Sequence, residues 1–85
     1  MKADVIHIDP QILSGTPVFK GTRVPIESIF DHLEDGISLE DFLNDFPTVT
    51  REQAIAVLEL AGEVLTHKNF RKIYETAAWW KPSST

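Results

Sequence analysis

The sequence contains no cysteine, and no apolar stretch in it approaches the roughly 18 residues that a membrane-spanning helix needs. A disulfide framework and a cysteine-based zinc site are therefore excluded. Residues Met1 to Pro10 hold no apolar run of the kind found in signal peptides. From these absences we expect a cytoplasmic protein with no membrane association.

Patterns that carry catalysis or metal binding are also scarce. The histidines are scattered and show no metal-ligand spacing, so we expect no metal and no cofactor; they are His7, His32 and His67. No serine lies in a nucleophile motif, and the glycine spacing does not match a nucleotide-binding loop. We therefore predict a protein that is not an enzyme, has no catalytic residues and has no small-molecule substrate.

What the chain does contain is typical of one small globular domain. It has 85 residues, of which 42% are hydrophobic and 25% are charged. Thirteen acidic residues against eight basic ones give a net charge of −5, and the charge is uneven. Residues 37–66 carry a net charge of −5, whereas residues 67–85 carry +3. An acidic chain needs a local basic patch if it is to bind nucleic acid.

The first 24 residues have the composition of short strands and turns. The β-branched run from Val5 to Ile8 predicts a brief strand, and the Ser14–Pro17 cluster predicts a turn. Val18–Val24 predicts a hairpin-like arm in which Gly21 takes a positive φ. Because an isolated hairpin is marginally stable in water, this arm must pair with the first strand or with another subunit.

Three helices are predicted after the arm. Residues 25–35 have helical apolar spacing, with Pro25 in the first position and Gly36 as a left-handed cap. The second helix, residues 39–46, follows a capping box that begins at Ser38. The third helix follows a capping box that begins at Thr50 and matches the usual pattern more closely. The apolar face of this helix is wide enough to pack on more than one side. The expected fold is mainly α: a three-helix bundle with an N-terminal strand and arm.

Residues 37–66 have the layout of a helix-turn-helix, a short helix and a longer one joined by a tight turn. An ordinary helical hairpin in a bundle has the same spacing, so both interpretations stay open. The recognition helix of such a motif needs hydrogen-bond donors near its N-terminus to reach the base edges. Arg51 and Gln53 are the candidates for DNA binding there. The acidic residues of this segment oppose that role because phosphates would repel them.

Two further segments are candidates for binding. The stiff arm carries three candidates for DNA binding: Lys20, Thr22 and Arg23. The alternative is that the arm is purely structural and these side chains contact only solvent. The basic, aromatic tail is a candidate for protein binding, with a fourth helix folded onto the bundle as the alternative. Its candidate partner-binding residues are Phe70, Arg71, Tyr74, Trp79 and Trp80.

Several of these segments resemble one bacterial family, the domain of unknown function 433. The resemblance runs from about residue 5 to residue 65 and is carried above all by the motifs Gly15-Thr16-Pro17-Val18 and Gly21-Thr22-Arg23-Val24-Pro25. It implies a homeodomain-like or winged-helix-like helix-turn-helix with a β-arm, commonly as a dimer. It also implies a VapB-like antitoxin whose partner is a PIN-like ribonuclease toxin, and antitoxins of this kind often bind their own promoter.

We therefore expect a helix-turn-helix domain at residues 1–66 and a basic aromatic, helical tail at residues 67–85. The expected function is that of an antitoxin, which forms a homodimer and neutralises a PIN-like ribonuclease while regulating its own promoter. A stand-alone DNA-binding regulator and a structural dimerisation module are the alternatives.

Overall fold

The computed structural model describes residues 2–68 of the chain. Within them the fold is mainly helical, with three α-helices and a two-stranded antiparallel sheet near the N-terminus, as predicted. A 3-10 turn precedes the first strand and packs against the third helix. The elements are β1 (Ile6–His7), β2 (Val18–Phe19), α1 (Glu27–Glu34), α2 (Leu39–Asp45) and α3 (Arg51–Thr66).

The arm pairs with the preceding strand. Ile6 lies opposite Phe19 and His7 lies opposite Val18, and the amide of Lys20 extends the pairing by donating to the Val5 carbonyl at 2.8 Å. This confirms the expectation that the arm pairs with the first strand of its own chain. The arm also closes on itself, since Val18 forms a bridge with Pro25 and the Phe19 amide donates to the Val24 carbonyl.

Local capping signals set the starts and ends of the helices. Thr50 and Gln53 form the full capping box that the sequence predicts, and the Ser38 hydroxyl accepts from the Asp41 amide. Gly36 has a φ of 78° just after α1, as expected for a left-handed cap. The expected start of α1 was wrong by two residues: Pro25 is held in the bridge to Val18, and the helix begins at Glu27.

A small core joins the arm to all three helices. Phe19 from β2 and Phe42 from α2 have no exposed area, and their ring centroids lie 6.1 Å apart. The Phe46 ring packs against Phe42 in a tilted arrangement and the His32 ring packs edge-on, with centroid distances of 5.0 and 5.3 Å. Burial of Ile29, Val49, Ala54 and Val57 completes the cluster. The arm is therefore part of the domain's core, and its turn is held at a fixed position beside α3.

Candidate binding surfaces

The turn of the arm is braced by one threonine side chain. The Thr22 hydroxyl donates to the Phe19 carbonyl at 2.8 Å and accepts from the Val24 amide at 3.0 Å. Gly21 has a φ of 80°, the left-handed conformation that glycine adopts without a Cβ penalty. Thr22, a predicted DNA-binding residue, therefore has a structural role in shaping the turn.

Gln53 connects this turn to the start of α3. Its Oε1 accepts from the Thr50 amide at 3.0 Å, while its Nε2 donates to the Lys20 carbonyl at 2.9 Å. One amide side chain thus caps the helix and fastens the arm across 33 residues of sequence. These two bonds fix the orientation of the amide and leave one N–H and one oxygen lone pair of Gln53 without a partner within residues 2–68.

Arg51 is likewise engaged within the chain. Its guanidinium forms a two-point ion pair with the Glu40 carboxylate of α2, with Nη2 to Oε1 at 2.6 Å. The hydrogen bond from Arg51 holds the pKa of Glu40 below its ordinary value, and the reciprocal bond raises the pKa of Arg51. Both side chains are exposed, so solvent and salt weaken the pair. Its main effect is to connect the starts of α2 and α3.

Lys20 and Arg23 differ from these three residues. Both are exposed, and neither side chain forms an ion pair or hydrogen bond within residues 2–68. They flank an open groove of about 470 Å³ whose lining also includes His7, Ile12 and Thr22. Of the five predicted DNA-binding residues, the structure brings Lys20, Thr22 and Arg23 together on one turn, whereas Arg51 and Gln53 form contacts within the chain at the start of α3.

A second surface is apolar and lies along the other half of α3. A groove of about 370 Å³ runs between β1, the start of α1 and the last three turns of α3. Val64 and Leu65 at its end are 48% and 54% exposed. Its lining consists of Ile6, Ile26, Phe30, Val57, Leu60, Ala61, Val64 and Leu65. Apolar surface that residues 2–68 leave partly exposed in this way makes the groove a candidate protein interface.

One feature of the sequence indicates extra apolar surface on α3 but does not locate the groove. α3 has more apolar residues than its contact with the core uses, and that excess produced the prediction of packing on more than one side. Which other elements complete the groove depends on tertiary packing of β1 and α1 against α3. The five predicted partner-binding residues of the tail lie outside the described residues: Phe70, Arg71, Tyr74, Trp79 and Trp80.

No helix among residues 2–68 has the length and apolar character required to cross a bilayer. Over the same part of the chain, no group of three or more histidine, aspartate or glutamate side chains is arranged to hold a metal ion.

The fold and these two surfaces define a small helical domain with an N-terminal β-arm. Residues 6–61 match the family described as "Protein of unknown function (DUF433)", so the chain belongs to this family. The chain is 30% identical over 71 residues to the uncharacterized protein y4eO of Sinorhizobium fredii. That match covers 84% of the chain but 32% of the relative, so the chain spans about a third of the relative's length.

A solved structure supports the same assignment of the fold. The crystal structure of a DUF433 member protein from Anabaena variabilis matches with a TM-score of 0.62 at 19% sequence identity. The match covers 81% of this chain and 66% of that chain. At this level of identity the likeness concerns the fold alone.

Proposed function

We propose that this chain is the antitoxin-like member of a toxin–antitoxin pair, and that it neutralises a PIN-like ribonuclease by binding it. The observation that carries the proposal is the apolar groove along α3, whose exposed end is formed by Val64 and Leu65. The activity requires binding only, so we assign the chain no catalytic step. We place the pair in the cytoplasm, where the ribonuclease would meet its RNA.

The partner's chemistry follows from charge. Residues 2–66 contain twelve carboxylates and only four lysine or arginine side chains. A ribonuclease must present a basic surface to bind the RNA backbone, and an acidic protein complements such a surface. Because the toxin would bury an apolar element in the groove, the groove would supply affinity, and the net negative charge of residues 2–66 would steer the encounter.

The test uses the PIN-like ribonuclease encoded beside this chain, together with substitutions in the groove. Val64→Asp places a carboxylate in the groove and should raise the concentration needed to inhibit the ribonuclease at least tenfold. Ile55→Asp is the matched control: it introduces the same charge on the same helix at a residue 41% exposed, on the face opposite Val64. The control should inhibit as the unsubstituted chain does.

Equal inhibition by the two variants would overturn the proposal. Two other occupants of the groove would overturn it as well, and each has its own signature. A second copy would give a concentration-dependent dimer that Val64→Asp abolishes in sedimentation. The chain's own tail would give a blue-shifted fluorescence that Val64→Asp moves to the red, because both tryptophans, Trp79 and Trp80, lie in the tail.

The second candidate is a DNA-binding regulator, and one observation favours it: the two available cations on the arm, Lys20 and Arg23. For the start of α3 to contact bases, Arg51 would have to leave its ion pair with Glu40, and Gln53 would have to bind through its remaining N–H and lone pair.

A further inference from the structure

We propose that the turn of the arm is a phosphate-binding site that holds the phosphodiester backbone of a DNA duplex. The donors are the side chains of Lys20 and Arg23 and the backbone amides of Gly21 and Arg23. This inference is independent of toxin binding, because the arm's turn and the apolar groove have no lining residue in common.

The turn presents several donors to one open space. The amides of Gly21 and Arg23 have no acceptor within residues 2–68, whereas those of Lys20, Thr22 and Val24 are all bonded. A Cβ added at Gly21 would meet no atom within 4 Å, so a ligand can approach the backbone closely there. Exposed amides flanked by cationic side chains form a favourable environment for an anion.

These donors sit on a rigid support. The Thr22 hydroxyl spans the turn, Gln53 ties the Lys20 carbonyl to α3, and the Lys20 amide is bonded to Val5. Just before the turn, Phe19 is completely buried in the core. Binding therefore requires ordering of the two long side chains and little rearrangement of the backbone, which lowers its entropic cost.

The local charge is positive although the chain is acidic. The groove is lined by Lys20 and Arg23 and by no carboxylate. Asp9 lies 3.9 Å from the ring of His7, one of the lining residues, and accepts from the Gln11 amide. Within residues 2–68, neither Lys20 nor Arg23 forms an ion pair with Asp9 or with another carboxylate. The guanidinium fork of Arg23 can bind two phosphate oxygens at once.

The shape and lining of the groove favour duplex DNA over a free phosphate ion or an unpaired strand. It is open and has no buried charged group that would enclose a free phosphate ion. None of its lining residues has an aromatic ring on which unpaired bases would stack, apart from the His7 imidazole that faces Asp9. A duplex needs neither feature, because its regularly spaced phosphates can be held from one side by exposed cations and amides.

The test is binding of the full chain to a short mixed-sequence DNA duplex, measured from about 50 to 200 mM salt. The double variant Lys20→Ala/Arg23→Ala should weaken binding at least tenfold at the lowest salt and reduce the steepness of the log K against log salt plot by roughly two. The control Arg51→Ala/Lys68→Ala removes the same charge elsewhere. It should keep most of the affinity for the duplex and most of the slope of log K against log salt.

Four results would overturn the proposal. The unsubstituted chain could fail to bind the duplex at about 50 mM salt, or the two double variants could lose affinity equally, which would indicate net charge alone. Tighter binding of a single strand of the same length, or displacement of the duplex by inorganic phosphate at matched ionic strength, would assign the turn to another source of phosphate. Circular dichroism of each variant verifies that the fold is intact.

Discussion

The two halves of α3 have the same helical backbone but opposite surroundings. At its start, Thr50 and Gln53 cap the helix and hold the arm, and Ala54 and Val57 are buried in the core. At its end, Val64 and Leu65 are half exposed along an apolar groove. Residues that stabilise this domain and exposed apolar residues that form the candidate partner surface are therefore separated along one helix.

The largest expected difference between the two regions is in stability. Phe42→Ala should lower the free energy of unfolding by about 3–5 kcal/mol, because it leaves a cavity against Phe19 and Phe46. Val64→Ala should cost less than about 1 kcal/mol, since half of that side chain is already in water. Urea denaturation measures both values. Similar losses for the two variants would contradict the claim that the core stabilises the fold far more than the exposed end of α3 does.

The next largest effect is expected at the helix cap. Thr50→Ala removes the hydroxyl that accepts from the Gln53 amide and should cost about 1 kcal/mol in urea denaturation. Thr50→Ser, which keeps that acceptor, is the matched control and should lose much less. If both variants lost the same amount, the methyl group rather than the cap would be responsible.

The bond from Gln53 to the arm can be separated from its capping role. Gln53→Glu keeps the Oε1 acceptor for the Thr50 amide but replaces the donor that reaches the Lys20 carbonyl. We expect a loss of about 1 kcal/mol and faster amide exchange in the arm's turn, with exchange in the last turns of α3 unchanged. Uniform acceleration along the whole chain would show that the arm and α3 open together rather than locally.

The smallest effect is expected from the ion pair of Arg51 and Glu40. Because the pKa of Glu40 is lower in the folded chain than in the unfolded one, the unfolded chain binds more protons in acid. The pair therefore stabilises the fold above the ordinary glutamate pKa, and this contribution is lost as the pH falls through the lowered pKa. Glu40→Gln should flatten the acid side of a stability profile, and added salt should reduce the difference.

How much of this could be predicted from the sequence depends on the range of the interactions. The caps at Thr50 and Gly36 and the turn at Gly21 depend on neighbouring residues, and all three were predicted correctly. The Gln53–Lys20 bond joins residues 33 apart, so no local pattern could reveal it. The role of Gln53 in fastening the arm is therefore seen only in the structure, and its predicted contact with DNA stays a prediction.

For the two candidate binding surfaces as well, only the features that depend on neighbouring residues could be predicted from the sequence. The motif around Lys20 and Arg23 indicated an exposed, stiff turn, and the structure leaves both cations available within the described residues. The apolar groove depends on how β1 and α1 pack beside α3, so the sequence showed only an excess of apolar residues on that helix. The roles assigned to the tail stay predictions, as its candidate residues lie outside the described part of the chain.

The most direct test measures stability and partner binding on the same two variants, Val64→Asp and Ile55→Asp. Both variants should remain folded, each losing no more than about 2 kcal/mol in the free energy of unfolding. Only Val64→Asp should then raise the Kd for the PIN-like ribonuclease, by at least tenfold. A Val64→Asp chain that is folded and binds the ribonuclease with unchanged Kd would contradict the claim that the open half of α3 is the partner-binding surface.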